Sequence, residues 1–258
     1  MKVRFTKMHG AGNDFVMIDD RAETFPCRRE VLASIGARGT GVGCEGIILV
    51  QKSATADFRM RFFNPDGSEA EMCGNGARCV AAFARAIGAA SADTMRFETV
   101  AGEVWAEIVG PELVKIGLPA PKDLRANFVN SGVPHCIVPV DDLAHADVAG
   151  EGRRIRYSSE FAPAGTNVDF VAYRSPHHVD IRTYERGVEA ESGACGTGAV
   201  AAAVVGVAQY GLAFPVTVRT AMGYELTIDG DSDGTAFSSV TLTGPIRRVF
   251  EGEIELPA

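Results

Sequence analysis

Apolar and polar positions alternate along much of the chain, and twice the alternation gives way to a segment with almost no polar face. Strands are expected at 1–7, 15–18, 47–50, 58–63, 105–108, 136–140, 168–173 and 179–184, several of them with two-residue periodicity. Residues 28–35 predict a short helix, and 120–126 read as a linker. The two exceptional segments, 77–87 and 199–210, are helical and apolar on nearly every side, with Arg78 and Arg85 the main exceptions in the first; Gly88 and Gly211 act as stop signals. A helix apolar all round must be buried all round, as it would be if a curved sheet wrapped it.

Each of these helices opens on a cysteine between glycines. Glu71-Met72-Cys73-Gly74-Asn75-Gly76-Ala77 is echoed 122 residues later by Gly193-Ala194-Cys195-Gly196-Thr197-Gly198-Ala199. The correspondence extends to the flanks. Asn13 stands opposite His135, the pair Asp19-Asp20 opposite Asp141-Asp142, and 97–102 resembles 218–223. A repeat this long reads as a duplicated domain rather than a solenoid unit. The expected halves are 1–119, carrying Cys73, and 120–246, carrying Cys195, facing each other across a cleft of the kind that holds small molecules.

Composition narrows the partner. At 258 residues with 46% hydrophobic and 22% charged residues, the chain is an ordinary globular protein able to bury a large core. A formal charge of -8 argues against nucleic acid, so a small-molecule partner is expected. No signal-peptide pattern opens the chain and no apolar run reaches membrane-spanning length, so the expectation is a cytoplasmic protein with no membrane partner and reduced cysteines. Without a Cys-x-x-Cys pair, neither structural zinc nor a dithiol redox site is expected.

The cysteine turns suggest a chemistry. A helix N-terminus offers unpaired N–H groups and partial positive charge, which bind a carboxylate and lower the pKa of a thiol placed there. Gly74, Asn75, Gly196 and Thr197 are the backbone donors in question, and their glycine neighbours admit a ligand close to the chain. One such turn would most simply be packing. Two on related halves can approach one α-carbon from opposite sides, one thiolate removing a proton and one thiol delivering another, which inverts the centre without a cofactor. Phosphate binding fits less well, because the Walker lysine and a dinucleotide fingerprint are both missing. Cys79, inside the first helix, is expected to be core filler; Cys27, Cys136, His145, His177 and His178 are read as structural. A different class of protein also fits, an amino-acid-binding or redox-sensing protein in which Cys73 and Cys195 bind a ligand or form a disulfide.

These residues resemble the diaminopimelate epimerase family along nearly the whole chain. Carrying the resemblance are 7–15 (Lys-Met-His-Gly-Ala-Gly-Asn-Asp-Phe), 63–79 around Cys73, 132–135, Asn167, Tyr184-Glu185-Arg186-Gly187 and 194–198 around Cys195. The resemblance implies a two-domain α/β (α+β) fold, each half a curved, mainly antiparallel sheet or barrel around its apolar helix, with the C-terminal strand, about 247–258, returning to the first half. It implies a cofactor-independent isomerase that interconverts LL- and meso-diaminopimelate for lysine and cell-wall precursor synthesis, working as a homodimer. Cys73 and Cys195 would be the acid/base pair, with His135 and Glu185 tuning their protonation, and Asn13, Asn64, Asn167, Glu185 and Arg186 would hold the substrate's polar groups. An arginine suits a second carboxylate, which sets such a substrate apart from ordinary amino acids. Glu45, Val133 and the run Glu191-Ser192-Gly193-Ala194 depart from the usual pattern, which leaves open a racemase of another amino acid, of the proline racemase kind.

Overall fold

The computed structural model describes residues 1–234 and 236–256, so the last two residues of the expected C-terminal strand lie outside the described residues. The chain divides into two compact units, Met1–Ile116 with the stretch beginning at Gly244, and Gly117–Thr243. The first contains β1 (Lys2–Gly10), β2 (Asn13–Asp19), α1 (Arg29–Gly36), β3 (Gly46–Gln51), β4 (Phe58–Phe63), β5 (Glu69–Ala70), α2 (Gly74–Ala86), β6 (Thr94–Thr99), β7 (Gly102–Gly110) and β8 (Leu113–Gly117). The second contains β9 (Lys122–Arg125), β10 (Phe128–Asn130), β11 (Pro134–Pro139), α3 (Val148–Arg156), β12 (Asn167–Ser175), β13 (His178–Glu185), β14 (Ala190–Ser192), α4 (Gly196–Gln209), β15 (Val216–Arg219), β16 (Glu225–Ser232) and the start of β17 (Phe237–Glu255). The remainder of β17 belongs to the first unit.

The two units repeat one pairing plan. In the first, β2 runs parallel to β3 and β4 parallel to β6, while β1–β2, β3–β4, β6–β7 and β7–β8 are antiparallel. In the second, β11 runs parallel to β12 and β13 parallel to β15, with β10–β11, β12–β13 and β15–β16 antiparallel. Within the first unit the plan closes on itself, since β8 pairs with β17 and β17 pairs antiparallel with β1. This barrel leaves those strands no free edge.

Strand alternation then sorts the side chains. Val16, Ile18, Ile47, Leu49 and Phe63 turn to one face, where the amphipathic α1 covers them with Val31, Leu32 and Ile35. The alternate residues turn to α2, which packs against β1, β2, β3, β4 and β7. Gly76 has no side chain because a Cβ there would stand 2.8 Å from Ile48 Cδ1. α4 is likewise surrounded, by β10, β11, β12, β13, β15 and β16, and every residue from Gly198 to Gly206 is buried. Most of each apolar helix is buried, with Arg85, Ala86 and Gln209 at the C-terminal ends exposed, and the burial extends to Arg78, which is 0% exposed.

Three local expectations need correction. Both helices start at the glycine directly after the cysteine, so Cys73 and Cys195 are N-caps; periodicity missed the first turn because Gly-Asn-Gly and Gly-Thr-Gly read as loop. The expected linker 120–126 contains β9, which pairs with β10. α3 gave no periodic signal because Val148 and Gly152 are its buried positions and two glycines interrupt it; its start is fixed by Asp147, whose carboxylate accepts from Gly150 N at 2.9 Å.

Phe58 and Phe97 are both 0% exposed and stack with ring centroids 4.9 Å apart. Phe97→Ala is expected to destabilise the protein by about 3–5 kcal/mol, the range for deleting a buried aromatic ring. Urea unfolding measures this, and a loss below about 1 kcal/mol would show that the stack does not hold the first unit together.

Candidate active site

Cys73 ends the short β5 turn and caps α2 with extended backbone angles, φ -134° and ψ 122°, its carbonyl accepting from Ala77 N at 2.7 Å. The sulfur therefore sits beside the backbone N–H groups of the first turn. Asn13, at the start of β2, faces it: Asn13 Oδ1 lies 3.5 Å from Cys73 Sγ and accepts from Asn75 Nδ2 at 3.4 Å, while Asn13 Nδ2 donates to Glu45 Oε2. Arg78 Nη2 donates to Asn75 Oδ1 at 2.7 Å and its Nη1 to the Gly74 carbonyl at 3.3 Å. A donor-only guanidinium at one end and an acceptor-only carboxylate at the other fix the direction of both amides between them. The carbonyl oxygen of Asn13 is thus the atom turned to the sulfur.

Burial lowers the Arg78 guanidinium to about 10, partly offset by the thiols of Cys79 and Cys73, so it remains a cation at neutral pH. Among the described residues no carboxylate pairs with it, and its Nε has no partner. Burial raises the Cys79 thiol far beyond the physiological range, while the Arg78 charge also acts on Cys73. Asn64 lies in the turn between β4 and β5, with its Nδ2 on Ser68 Oγ at 3.1 Å.

The second unit builds a different surround on the same plan. Cys195 caps α4 and its sulfur accepts from Gly198 N at 3.4 Å. Thr197 Oγ1 lies 3.4 Å from Cys195 Sγ and 2.9 Å from His135 Nε2, and His135 Nδ1 lies 2.6 Å from Asp169 Oδ2. Asn167 Nδ2 donates to the Pro134 carbonyl at 3.0 Å and lies 3.4 Å from His135 Nε2, while its Oδ1 accepts from Arg186 N at 2.8 Å. Glu185 ends β13, and its charge acts on Cys195. Burial, then the carboxylates of Glu185 and Asp169, push the Cys195 thiol well above its ordinary value, against the opposing hydrogen bonds from Thr197 and Gly198.

The structure thus brings Asn13, Cys73, Gly74 and Asn75 together in the first unit, and His135, Asn167, Glu185, Arg186, Cys195, Gly196 and Thr197 together in the second. Sequence reasoning missed Asp169 and treated Arg78 only as a break in an apolar helix. The available signal for Asp169 was a lone acid within the apolar strand Val168-Asp169-Phe170-Val171. Among the described residues no group of three His, Cys, Asp or Glu side chains is arranged to hold a metal ion, and no helix is long and apolar enough to cross a membrane.

With this geometry in view, the comparisons with known proteins are decisive. The family model described as diaminopimelate epimerase matches residues 5–119 and 127–249. The chain belongs to the diaminopimelate epimerase family. The diaminopimelate epimerase of Aquifex aeolicus is 42% identical over 98% of both chains, and that of Chlorobaculum tepidum 40% identical over 96% of this chain and all of its own. The fold is shared more widely. A phenazine biosynthesis protein of the PhzF family from Bacillus anthracis superposes with a TM-score of 0.73 at 19% identity, each chain covered to 99%. A hydroxyproline epimerase from Agrobacterium vitis gives 0.68 at 17%, with 98% of this chain and 92% of that one covered. Membership in the family makes the chain an isomerase.

The raised thiol at Cys195 gives a direct expectation. A group raised in this way stays protonated through neutral pH, so alkylation of the Cys195 peptide by iodoacetamide should keep accelerating above the ordinary thiol value of about 8.5. Glu185→Gln removes a nearby negative charge and should move that profile to lower pH. Mass spectrometry of the labelled peptide reads both, and a profile already flat by pH 8 would contradict the expectation.

Proposed function

We propose that this protein interconverts LL- and meso-diaminopimelate, with Cys73 and Cys195 as the two acid/base groups and no cofactor. The observation that carries the reading is the duplication itself: in each unit a cysteine is the N-cap of a buried apolar helix, with a glycine on its C-terminal side. Family membership supplies the substrate. The division into a first half, 1–119 with the C-terminal strand, and a second half, 120–246, one cysteine in each, belongs to the same proposal. So do the homodimer and the cytoplasmic location, which rest on the resemblance to the family.

The chemistry follows from what α-proton removal requires. As the proton leaves, negative charge moves from the α-carbon onto the carboxylate oxygens. Backbone N–H groups at Gly74, Asn75, Gly196 and Thr197, at the positive ends of two helix dipoles, are suited to receive that charge. One sulfur starts as thiolate and takes the proton; the other starts as thiol and returns one to the opposite face. After turnover their roles are exchanged, so the reaction runs in both directions. The unequal surroundings of the two sulfurs, an amide and a guanidinium in one unit and a hydroxyl, an imidazole and two carboxylates in the other, support different resting protonation states. Asn64, Asn167, Glu185 and Arg186 are assigned to the distal amino and carboxylate groups.

Cys73→Ala and Cys195→Ala should each lower kcat for epimerisation by at least about 10²–10⁴-fold, the contribution of a positioned acid or base. The assay is run with LL-diaminopimelate, proline and other amino acids side by side. Turnover of proline in preference to diaminopimelate would replace the substrate assignment, and a single alanine variant with native kcat would end the two-base assignment.

A further inference from the structure

The carboxylate behind His135 belongs to none of the roles assigned above. Asp169 is 0% exposed, as is His135, and among the described residues the one basic side chain paired with it is that imidazole. It is held from several sides. Thr183 Oγ1 donates to Asp169 Oδ1 at 2.7 Å, and the first turn of α4 closes over it at Gly198, where a Cβ would stand 2.5 Å from Oδ1. A buried carboxylate is costly unless its hydrogen bonds are made, so so confined a position needs a return.

The first unit has no counterpart. The parallel register sets Asp169 beside Ile137 in the second unit, and the equivalent register sets Gly46 beside Phe15 in the first. Asn13 likewise stands where the second unit has His135. The imidazole and its carboxylate thus occur together in one half of a duplicated plan.

We propose that Asp169 is a positioning residue that fixes the His135 imidazole with its proton on Nδ1, so that Nε2 draws the Cys195 proton through the Thr197 hydroxyl. A carboxylate can only accept, so the ring nitrogen 2.6 Å from it carries the hydrogen. Nε2 is then the acceptor for Thr197 Oγ1–H at 2.9 Å, which leaves an Oγ1 lone pair for Cys195 S–H at 3.4 Å. In the transfer, the S–H bond of Cys195 breaks as a new O–H bond forms on Thr197, and the original Thr197 O–H bond breaks as N–H forms on Nε2. Thiolate, hydroxyl and imidazolium remain, with the imidazolium charge against Asp169. Running backwards, the relay reprotonates the sulfur.

The other titratable groups here do not compete for the proton. Glu185 on β13 faces Cys195 as a second carboxylate, and with Asp169 and burial it holds the sulfur as a thiol until the relay acts. The Asp169 charge acts on Cys136 of β11 and Tyr173 of β12, and burial above all raises both, Cys136 to about 11 and Tyr173 further, so they remain neutral. α4 itself, Gly196–Gln209, contributes no charged side chain.

This relay deepens the two-thiol reading and rests on it, so its test has one arm that needs no turnover. In the full chain without substrate, ¹⁵N NMR at about pH 8 should show His135 protonated on Nδ1 and bare on Nε2. Asp169→Asn should abolish that preference. In the kinetic arm, Thr197→Val should lower kcat for epimerisation by about 10²-fold or more while KM changes little, and Thr197→Ser, which keeps the hydroxyl, should restore it. A native His135 protonated on Nε2, a tautomer unchanged by a folded Asp169→Asn variant, or native kcat in Thr197→Val would overturn the proposal. Should Asp169→Asn fail to fold, the native tautomer and the Thr197 pair still decide it. Absence of epimerisation in the native chain would count against the two-thiol reading, while the tautomer arm would still stand or fall alone.

Discussion

A sulfur at the N-cap of a largely buried helix is the constraint on which the rest of the structure depends. The N–H groups of a first turn attract negative charge only while nothing else satisfies them, and a helix end is expensive to bury without partners. Placing such an end inside a sheet-rich unit requires strands that surround the helix body yet stop short of its first turn. The apolar faces of α2 and α4, the curvature of the strands around them and the glycines at Gly76 and Gly198 are consequences of that requirement. The anion and thiol chemistry follows from the same geometry.

Duplication made two such ends, and divergence made them unequal. Around Cys73 the neighbours are amides oriented by a buried cation, Arg78, and an acid, Glu45. Around Cys195 they are a hydroxyl, an imidazole and two carboxylates. The same five-residue spacing from the cysteine that gives Arg78 in the first helix gives Val200 in the second. An enzyme that inverts a stereocentre with two sulfurs needs them in opposite protonation states at the start of each turnover, and unequal surroundings bias which sulfur holds the proton.

Much of this was legible from the amino-acid order because the decisive features are local. An all-apolar helix, a glycine-flanked cysteine and strand alternation each leave a short-range mark, and the repetition of the cysteine turn marks both helix-capping sulfurs as candidates. Asp169 left a weaker mark, since one acid in an apolar strand becomes meaningful only when the register places it behind His135. Arg78 was misjudged for a related reason: a lone arginine on an apolar helix normally reaches solvent, and nothing in the sequence says that its two hydrogen bonds are to Asn75 and the Gly74 carbonyl. α3 and β9 were missed because their burial is carried by one or two residues, too few for a period to register.

The central claim is that two different groups handle the departing and arriving protons. Epimerisation of LL-diaminopimelate in deuterium oxide, stopped early and followed by mass spectrometry of both isomers, tests it directly. Newly formed meso product should carry one deuterium while the remaining LL isomer stays protiated, because the sulfur that takes the substrate's proton is not the one that delivers the solvent-derived one. Deuterium entering the recovered LL isomer as fast as it enters the product would mean that a single group serves both faces, and would contradict the account.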